Sequence, residues 1–203
     1  MKAHLNHTKY LEKHMSAAKS LTTAEIEQVL HYISTNANAV RNRAMFLMSV
    51  LAGLRVSELA GLTLSDIRNS NGSVKSEVFL AAHRVKHNHA RTIYISSRLK
   101  TELEHYINSR VWIDDTHPFF SIHYSSRKPF SANTLTQHFF WLYRNAGISA
   151  SSHSGRKTFL TSLASQGISV FVLASLAGHK SITTTQRYIT VNEDMKRKAV
   201  ELV

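Results

Sequence analysis

Residues 152–188 read SHSGRKTFLTSLASQGISVFVLASLAGHKSITTTQRY. Two helices and their stops are legible in this stretch. Ser152 opens a helix predicted to run to Gln166 and to close at Gly167. Ser169 opens a second, predicted to end at Ala177 and to close at Gly178. His153 and Arg156 are three positions apart, which puts them on one face near the start of the first helix. The free amides and the dipole at that end favour an anion. His179 follows Gly178 and so falls on a turn. Tyr188 lies nine residues further on, enough for a turn and a short helix around Thr184–Tyr188 to bring it back to the same pocket. A last helical segment is expected over Glu193–Leu202.

Moving toward the N-terminus, Ser131 starts a helix through Leu135, Phe139 and Leu142 that closes at Gly147. Ser97 is expected to cap a helix carrying Leu99, Leu103, Tyr106 and Ile107, with Pro118-Phe119-Phe120 as a short extended piece. Val74 to Leu80 and Arg91 to Ile95 are rich in β-branched and aromatic residues. They read as two antiparallel strands joined by the basic link Lys86-His87-Asn88-His89-Ala90. Asn69-Ser70-Asn71-Gly72 is a turn signal, as is the polar run Thr63-Leu64-Ser65-Asp66. A short helix is expected from Val56 to Gly61, and a longer one from Val40 to Leu51 with Gly53 as its stop. Thr22 and Glu25 form a capping box ahead of Ile26, Val29, Leu30 and Ile33 at helical spacing. Residues 1–20 are weakly patterned and read as an arm or a short first helix. The expected fold is mostly α with a small antiparallel β-sheet in the first half, an α+β class. One domain is expected over 21–203, including the C-terminal helix.

The composition bounds the chemistry. A chain of 203 residues with 43% apolar content can bury one good core. It holds no cysteine, so disulfides and thiolate metal sites are excluded. No stretch approaches the length of a membrane span, and Met1 to His7 lack the apolar run of a secretory signal. A cytoplasmic location and no membrane partner are expected. Lys and Arg number 25 against 13 Asp and Glu, a formal charge of +12 that points to a polyanion such as nucleic acid. The 13 histidines show no His-Glu-x-x-His pattern and no closed zinc spacing, so no metal is expected.

Cleaving a phosphodiester without a metal needs charge at the non-bridging oxygens, a proton for the leaving 5′ oxygen and a nucleophile. Arg55 and Arg156 can supply bidentate forks. Lys86, between the two strands, is placed to give the proton. His153 is a candidate base or phosphate donor, and His179 a second donor. Tyr188 can attack phosphorus and conserve the energy of the broken linkage. Singly, each has a plainer reading: Arg55 as a salt bridge to Glu58, Tyr188 as half-buried packing. The joint order and spacing favour the chemical one.

The set resembles the catalytic domain of the tyrosine recombinases, the phage integrase family. The carriers are Ala52-Gly53-Leu54-Arg55-Val56-Ser57-Glu58-Leu59, Val85 to Arg91, Ser152 to Arg156, and Leu176 to Ile182 with Thr184 to Tyr188. The resemblance implies a DNA breaking-rejoining fold and a site-specific recombinase that forms a 3′-phosphotyrosine on Tyr188. It implies Arg55 and Arg156 on the scissile phosphate, Lys86 as general acid, His153 and His179 assisting, and Glu58 supporting Arg55. No metal or other cofactor is implied. The partners implied are double-stranded DNA recombination sites, with four protomers assembled on DNA, monomer as one option for the free protein, and accessory DNA-bending proteins. Met195, Ala199, Val200, Leu202 and Val203 form a C-terminal stripe suited to a neighbouring protomer or to the protein's own core. Bound to DNA, the protein would sit at the nucleoid. Alternatives are a type IB topoisomerase-like nicking-closing enzyme and a catalytically silent DNA-binding regulator. Three features depart from the family pattern. Gly155 stands where leucine is usual. The lysine turn lacks its common glycine, leaving Asn88 for the left-handed position. The expected arm is far shorter than a core-binding domain, as in short family members.

Overall fold

The computed structural model describes residues 18–82, 90–111, 114–123, 126–189 and 193–201. Lys86 and Asn88, most of the expected arm, and Leu202 and Val203 lie outside them. The first helix, α1 (Thr23–Ser34), opens on the expected capping box: Thr22 Oγ1 accepts from Glu25 N–H, and Glu25 reaches back to Thr22 N–H. Its inner face buries Val29, Leu30 and Ile33. The next, α2 (Ala39–Ala52), is buried almost continuously from Ala44 to Val50. A helix apolar on nearly every side must run through the centre, and α2 is packed by α1, by α5 (Ser97–Asn108) and by α7 (Ser154–Ser165). It stops at Gly53, whose φ of 64° and whose close approach to Phe159 both demand glycine.

Short helices α3 (Val56–Ala60) and α4 (Leu64–Ile67) follow, then strands β1 (Glu77–Leu80) and β2 (Arg91–Tyr94). The strands pair antiparallel, with Glu77 opposite Tyr94 and Leu80 opposite Arg91. After α5, the segment around Pro118 makes isolated bridges to Thr63 and, through Ser121, to Pro129. The remaining helices are α6 (Ala132–Asn145), α7, α8 (Val170–Ala177), α9 (Ile182–Gln186) and α10 (Glu193–Val200). No helix among the described residues is long and apolar enough to cross a membrane. The mostly helical architecture with a small antiparallel sheet is the fold class expected.

Some boundaries differ from the sequence reading for local reasons. Thr63–Asp66 opens a helix rather than a bare turn, because Asp66 Oδ2 accepts from Thr63 N–H at 2.7 Å and closes the first turn. Ser96, not Ser97, caps α5. Strand β1 starts late because Val74 bridges to Arg68 instead. Helix α7 starts at Ser154 with His153 at the N-cap position, one residue after the expected cap Ser152. Ser154 Oγ accepts from Ser151 N–H and Lys19 N–H. Next to it, Leu21 N–H donates to Thr158 Oγ1, and Ser20 and Thr161 share a hydroxyl hydrogen bond. The chain just before α1 thus lies along α7 and fixes the helix that carries Arg156.

Candidate active site

The C-terminal part of the fold has its own small core. Leu160 and Ala164 of α7 meet Leu173 and Ala177 of α8, with Phe159, Leu163, Tyr188 and Ile189 packed at the margin. Truncating a fully buried leucine such as Leu173 to alanine typically costs about 2–5 kcal/mol. This cluster therefore holds the end of α8, the Gly178 turn and Tyr188 as one unit. Gly178 has a φ of 62°, and a Cβ there would lie 2.7 Å from Arg91 Cδ.

Two guanidinium groups converge on this turn. Arg55 Nη2 donates to the Ala177 carbonyl at 3.3 Å, and Arg156 Nη2 donates to the same oxygen. Arg156 Nη1 donates to the Gly53 carbonyl at 2.7 Å. The stops of α2 and α8 therefore supply the acceptors that aim both arginines. Arg55 is only partly buried, whereas Arg156 is 5% exposed. Burial, with the charges of Arg55 and Arg91 adding to it, pushes the Arg156 guanidinium down to about 9, so it remains a cation at neutral pH.

Glu58 sits beneath the pair and is 2% exposed. Its Oε1 accepts from Arg55 Nη1 at 2.7 Å and its Oε2 from Arg55 N–H at 2.7 Å. Burial opposes its charge, but Arg91 and Arg55 prevail and hold the carboxyl below its usual value.

His179 completes the turn. Its Nε2 lies 3.2 Å from Arg156 Nη2 and its Nδ1 lies 2.8 Å from Thr185 Oγ1. A guanidinium only donates, so Nε2 must accept and the ring proton must sit on Nδ1, directed at Thr185. Burial, then the Arg156 charge, pushes the imidazole down to about 4, which keeps it neutral. Its ring stacks on Tyr188 with centroids 5.8 Å apart and planes 22° from parallel. Short helix α9 makes this return possible, and Tyr188 N–H donates to Thr185 O at 2.9 Å.

Of the residues singled out from sequence, Arg55, Glu58, Arg156, His179 and Tyr188 are thus gathered around the Gly53 and Gly178 turns. His153 stands exposed at the start of α7, three residues before Arg156. Lys86 falls outside the described residues. Sequence reasoning missed Arg91 and Thr185. Thr185 is fully buried, and nothing in Thr183-Thr184-Thr185 marks which hydroxyl turns inward. Arg91 did carry a signal: it shares strand parity with buried Ile93 and Ile95, while Tyr94 faces out. A charge on the apolar face of a strand requires a buried partner.

The profile of the phage integrase family matches residues 19–195. The chain belongs to that family. Among relatives of this phage integrase family chain, tyrosine recombinase XerA of Pyrococcus furiosus is 32% identical over 183 residues, covering 90% of this chain and 61% of that protein. Tyrosine recombinase XerD of Halalkalibacterium halodurans is 30% identical over 185 residues, covering 88% and 59%. The chain therefore spans about three fifths of the length of these relatives. The crystal structure of XerA recombinase matches with a TM-score of 0.70 at 23% identity, over 91% of this chain and 64% of that one. The Tn1549 transposon integrase, solved with circular intermediate DNA, matches with a TM-score of 0.68 at 24% identity, over 90% and 66%. At such identities the structural likeness speaks for the fold.

A Cβ at Gly155 would lie 2.2 Å from Ser49 Oγ and 2.8 Å from Ser49 Cβ. Glycine at this position lets α7 cross α2 at close range, so Arg156 in the next position reaches the Gly53 carbonyl.

Proposed function

We propose that this chain is a site-specific DNA recombinase that cleaves and rejoins duplex DNA through a 3′-phosphotyrosine. The observation that carries the reading is the shared Ala177 carbonyl. It holds Arg55 and Arg156 side by side, next to a neutral His179 stacked on Tyr188. Two forks fixed on one acceptor form a preorganised cradle for the two non-bridging oxygens of one phosphate. Held by main-chain carbonyls, the cradle needs little reorganisation as charge develops.

In the proposed step, Tyr188 Oη forms a bond to phosphorus and the bond from phosphorus to the 5′ oxygen breaks. The phenolic proton leaves toward His153 or solvent, and Lys86 protonates the departing 5′ oxygen. His179 works from the acceptor side: its Nε2 orients Arg156, and its ring face sets the plane of the tyrosine. Rejoining is the same step reversed, with a 5′ hydroxyl as the attacking group. We further propose four protomers on two DNA sites, acting at the nucleoid in the cytoplasm with or without accessory DNA-bending proteins. The excess of basic residues supports the duplex as partner. Val200 of α10, 66% exposed, supports a C-terminal helix that does not spend its whole apolar stripe on its own core.

The test is covalent capture. The protein is incubated in EDTA with nicked duplexes of randomised sequence, and detergent-stable adducts are recovered and sequenced. The proposal expects adducts enriched in a common sequence. Adducts without enrichment, together with relaxation of supercoiled plasmid, would support a nicking-closing enzyme instead. Absence of any adduct would reject both and leave a DNA-binding regulator.

A further inference from the structure

Arg91 has no part in the set above, yet it is a buried cation of the site, as enclosed as Arg156. Its side chain is 3% exposed on the inner face of β2. A guanidinium so enclosed is tolerated only when its donors are met. Arg91 Nε donates to Glu58 Oε1 at 3.2 Å and Nη2 to Glu58 Oε2 at 2.6 Å, a two-pronged pairing. Nη1 donates to the Leu176 carbonyl, and Nη2 also reaches the Gly53 carbonyl at 3.4 Å.

These acceptors are those of the arginine cradle or their neighbours. Gly53 O also takes Arg156, and Leu176 immediately precedes Ala177, whose carbonyl takes Arg55 and Arg156. Both oxygens of Glu58 are shared between Arg55 and Arg91. The donors are used differently, however. A guanidinium has five N–H groups. Arg91 directs four hydrogen bonds to protein acceptors, whereas the Arg55 side chain directs two. Arg91 therefore has few donors left for a ligand, whereas partly exposed Arg55 keeps more of its own. The charge count matters too. Without Arg91, Glu58 would neutralise Arg55 as a closed pair. With it, three guanidinium groups stand against a single carboxylate, and the surplus positive charge faces the Gly178 turn.

We propose that Arg91 is a positioning residue for strand cleavage. It takes up part of the Glu58 carboxylate so that Arg55 keeps its charge for the phosphate, and it ties the Gly53 and Leu176 carbonyls into the frame that aims Arg55 and Arg156. The inference rests on the reading of that pair as a phosphodiester cradle.

The test uses the full chain and the duplex that the wild-type protein captures from the randomised pool. The scissile linkage is made either as the natural phosphodiester or as an uncharged methylphosphonate. Single-turnover adduct formation, DNA affinity and thermal melting are measured for wild type, Arg91→Met and Arg91→Lys. Arg91→Met is expected to slow phosphodiester cleavage by about tenfold or more at nearly unchanged DNA affinity, because charge stabilisation at the transition state is weakened. Its loss on the methylphosphonate is expected to be several-fold smaller, since that linkage has one non-bridging oxygen and one negative charge fewer to stabilise in the transition state. Equal slowing of both substrates would mean a structural role alone and would overturn the proposal, as would wild-type rates. If Arg91→Met does not fold, Arg91→Lys decides. It keeps the charge without the fork, so its cleavage rate should fall while the preference between the two linkages stays that of wild type. A wild-type rate for Arg91→Lys would overturn the proposal. Failure of the wild-type protein to form adducts would count against the recombinase reading itself.

Discussion

Replacing Gly155 with alanine tests how the close crossing of α2 and α7 sets the site. The added Cβ would fall 2.2 Å from Ser49 Oγ, 2.8 Å from Ser49 Cβ and 3.2 Å from the Ser49 carbonyl carbon. Ser49 is 1% exposed in the buried middle of α2 and cannot swing into solvent. Overpacking of this kind costs about 1–3 kcal/mol. Helix preference for alanine over glycine returns up to about 1 kcal/mol, and less in a first turn. The expected net loss is about 1–2 kcal/mol, read as a lower urea midpoint at constant slope. Cleavage should fall further than stability, because any shift of α7 moves Arg156 off the Gly53 and Ala177 carbonyls, and misplacement of about 1 Å can cost roughly 100-fold. The Ser49→Gly/Gly155→Ala double variant removes both clashing side-chain atoms and should recover about 1 kcal/mol or more of coupling in a double-mutant cycle. A Gly155→Ala protein as stable and as active as wild type would refute the close-crossing argument.

Further outcomes are expected elsewhere. Gly178→Ala combines a left-handed φ of 62° with a Cβ 2.7 Å from Arg91 Cδ, so it should destabilise by about 1–3 kcal/mol and depress cleavage; urea unfolding and adduct kinetics check this. Arg156→Lys loses the fork that bonds Gly53 O, Ala177 O and His179, and should slow adduct formation by about 100- to 1,000-fold while leaving DNA binding largely intact. His138 is half-buried, and the burial of its ring followed by the nearby Arg41 charge pushes its imidazole down to about 4 from 6.5. Its depressed value means that the unfolded chain binds the proton first. Stability from this group is therefore complete above about pH 6.5 and is lost as pH falls toward 4, by at most about 3 kcal/mol. His138→Phe should flatten that part of the pH–stability curve, and an unchanged curve would contradict the buried neutral state.

What could be read from sequence and what could not divide along physical lines. Helix ends written in local chemistry were legible: Thr22 with Glu25, Ser131, Ser169, Gly53 and Gly178 all act at the positions expected. So was the gathering of Arg55, Arg156, His179 and Tyr188, because the two stops and the short α9 fix their spacing. Errors arose where one polar side chain had two competing partners. Ser152 was expected to open α7, but Ser154 takes the Ser151 and Lys19 amides, and the helix starts later. Arg91 and Thr185 were not found because their partners are far away in sequence or one of several like neighbours. Arg91 meets Glu58 across 33 positions, and no local pattern encodes that meeting.

The identity of the nucleophile decides whether Tyr188 carries out strand cleavage. The measurement is peptide mapping of the adduct recovered from the randomised duplex pool, after nuclease trimming and proteolysis, with the polarity of the attached DNA end determined in parallel. A single phosphorylated residue is expected, Tyr188, joined to a 3′ phosphate with a free 5′ hydroxyl on the other fragment. Attachment at any other residue, or through a 5′ phosphate, would contradict it.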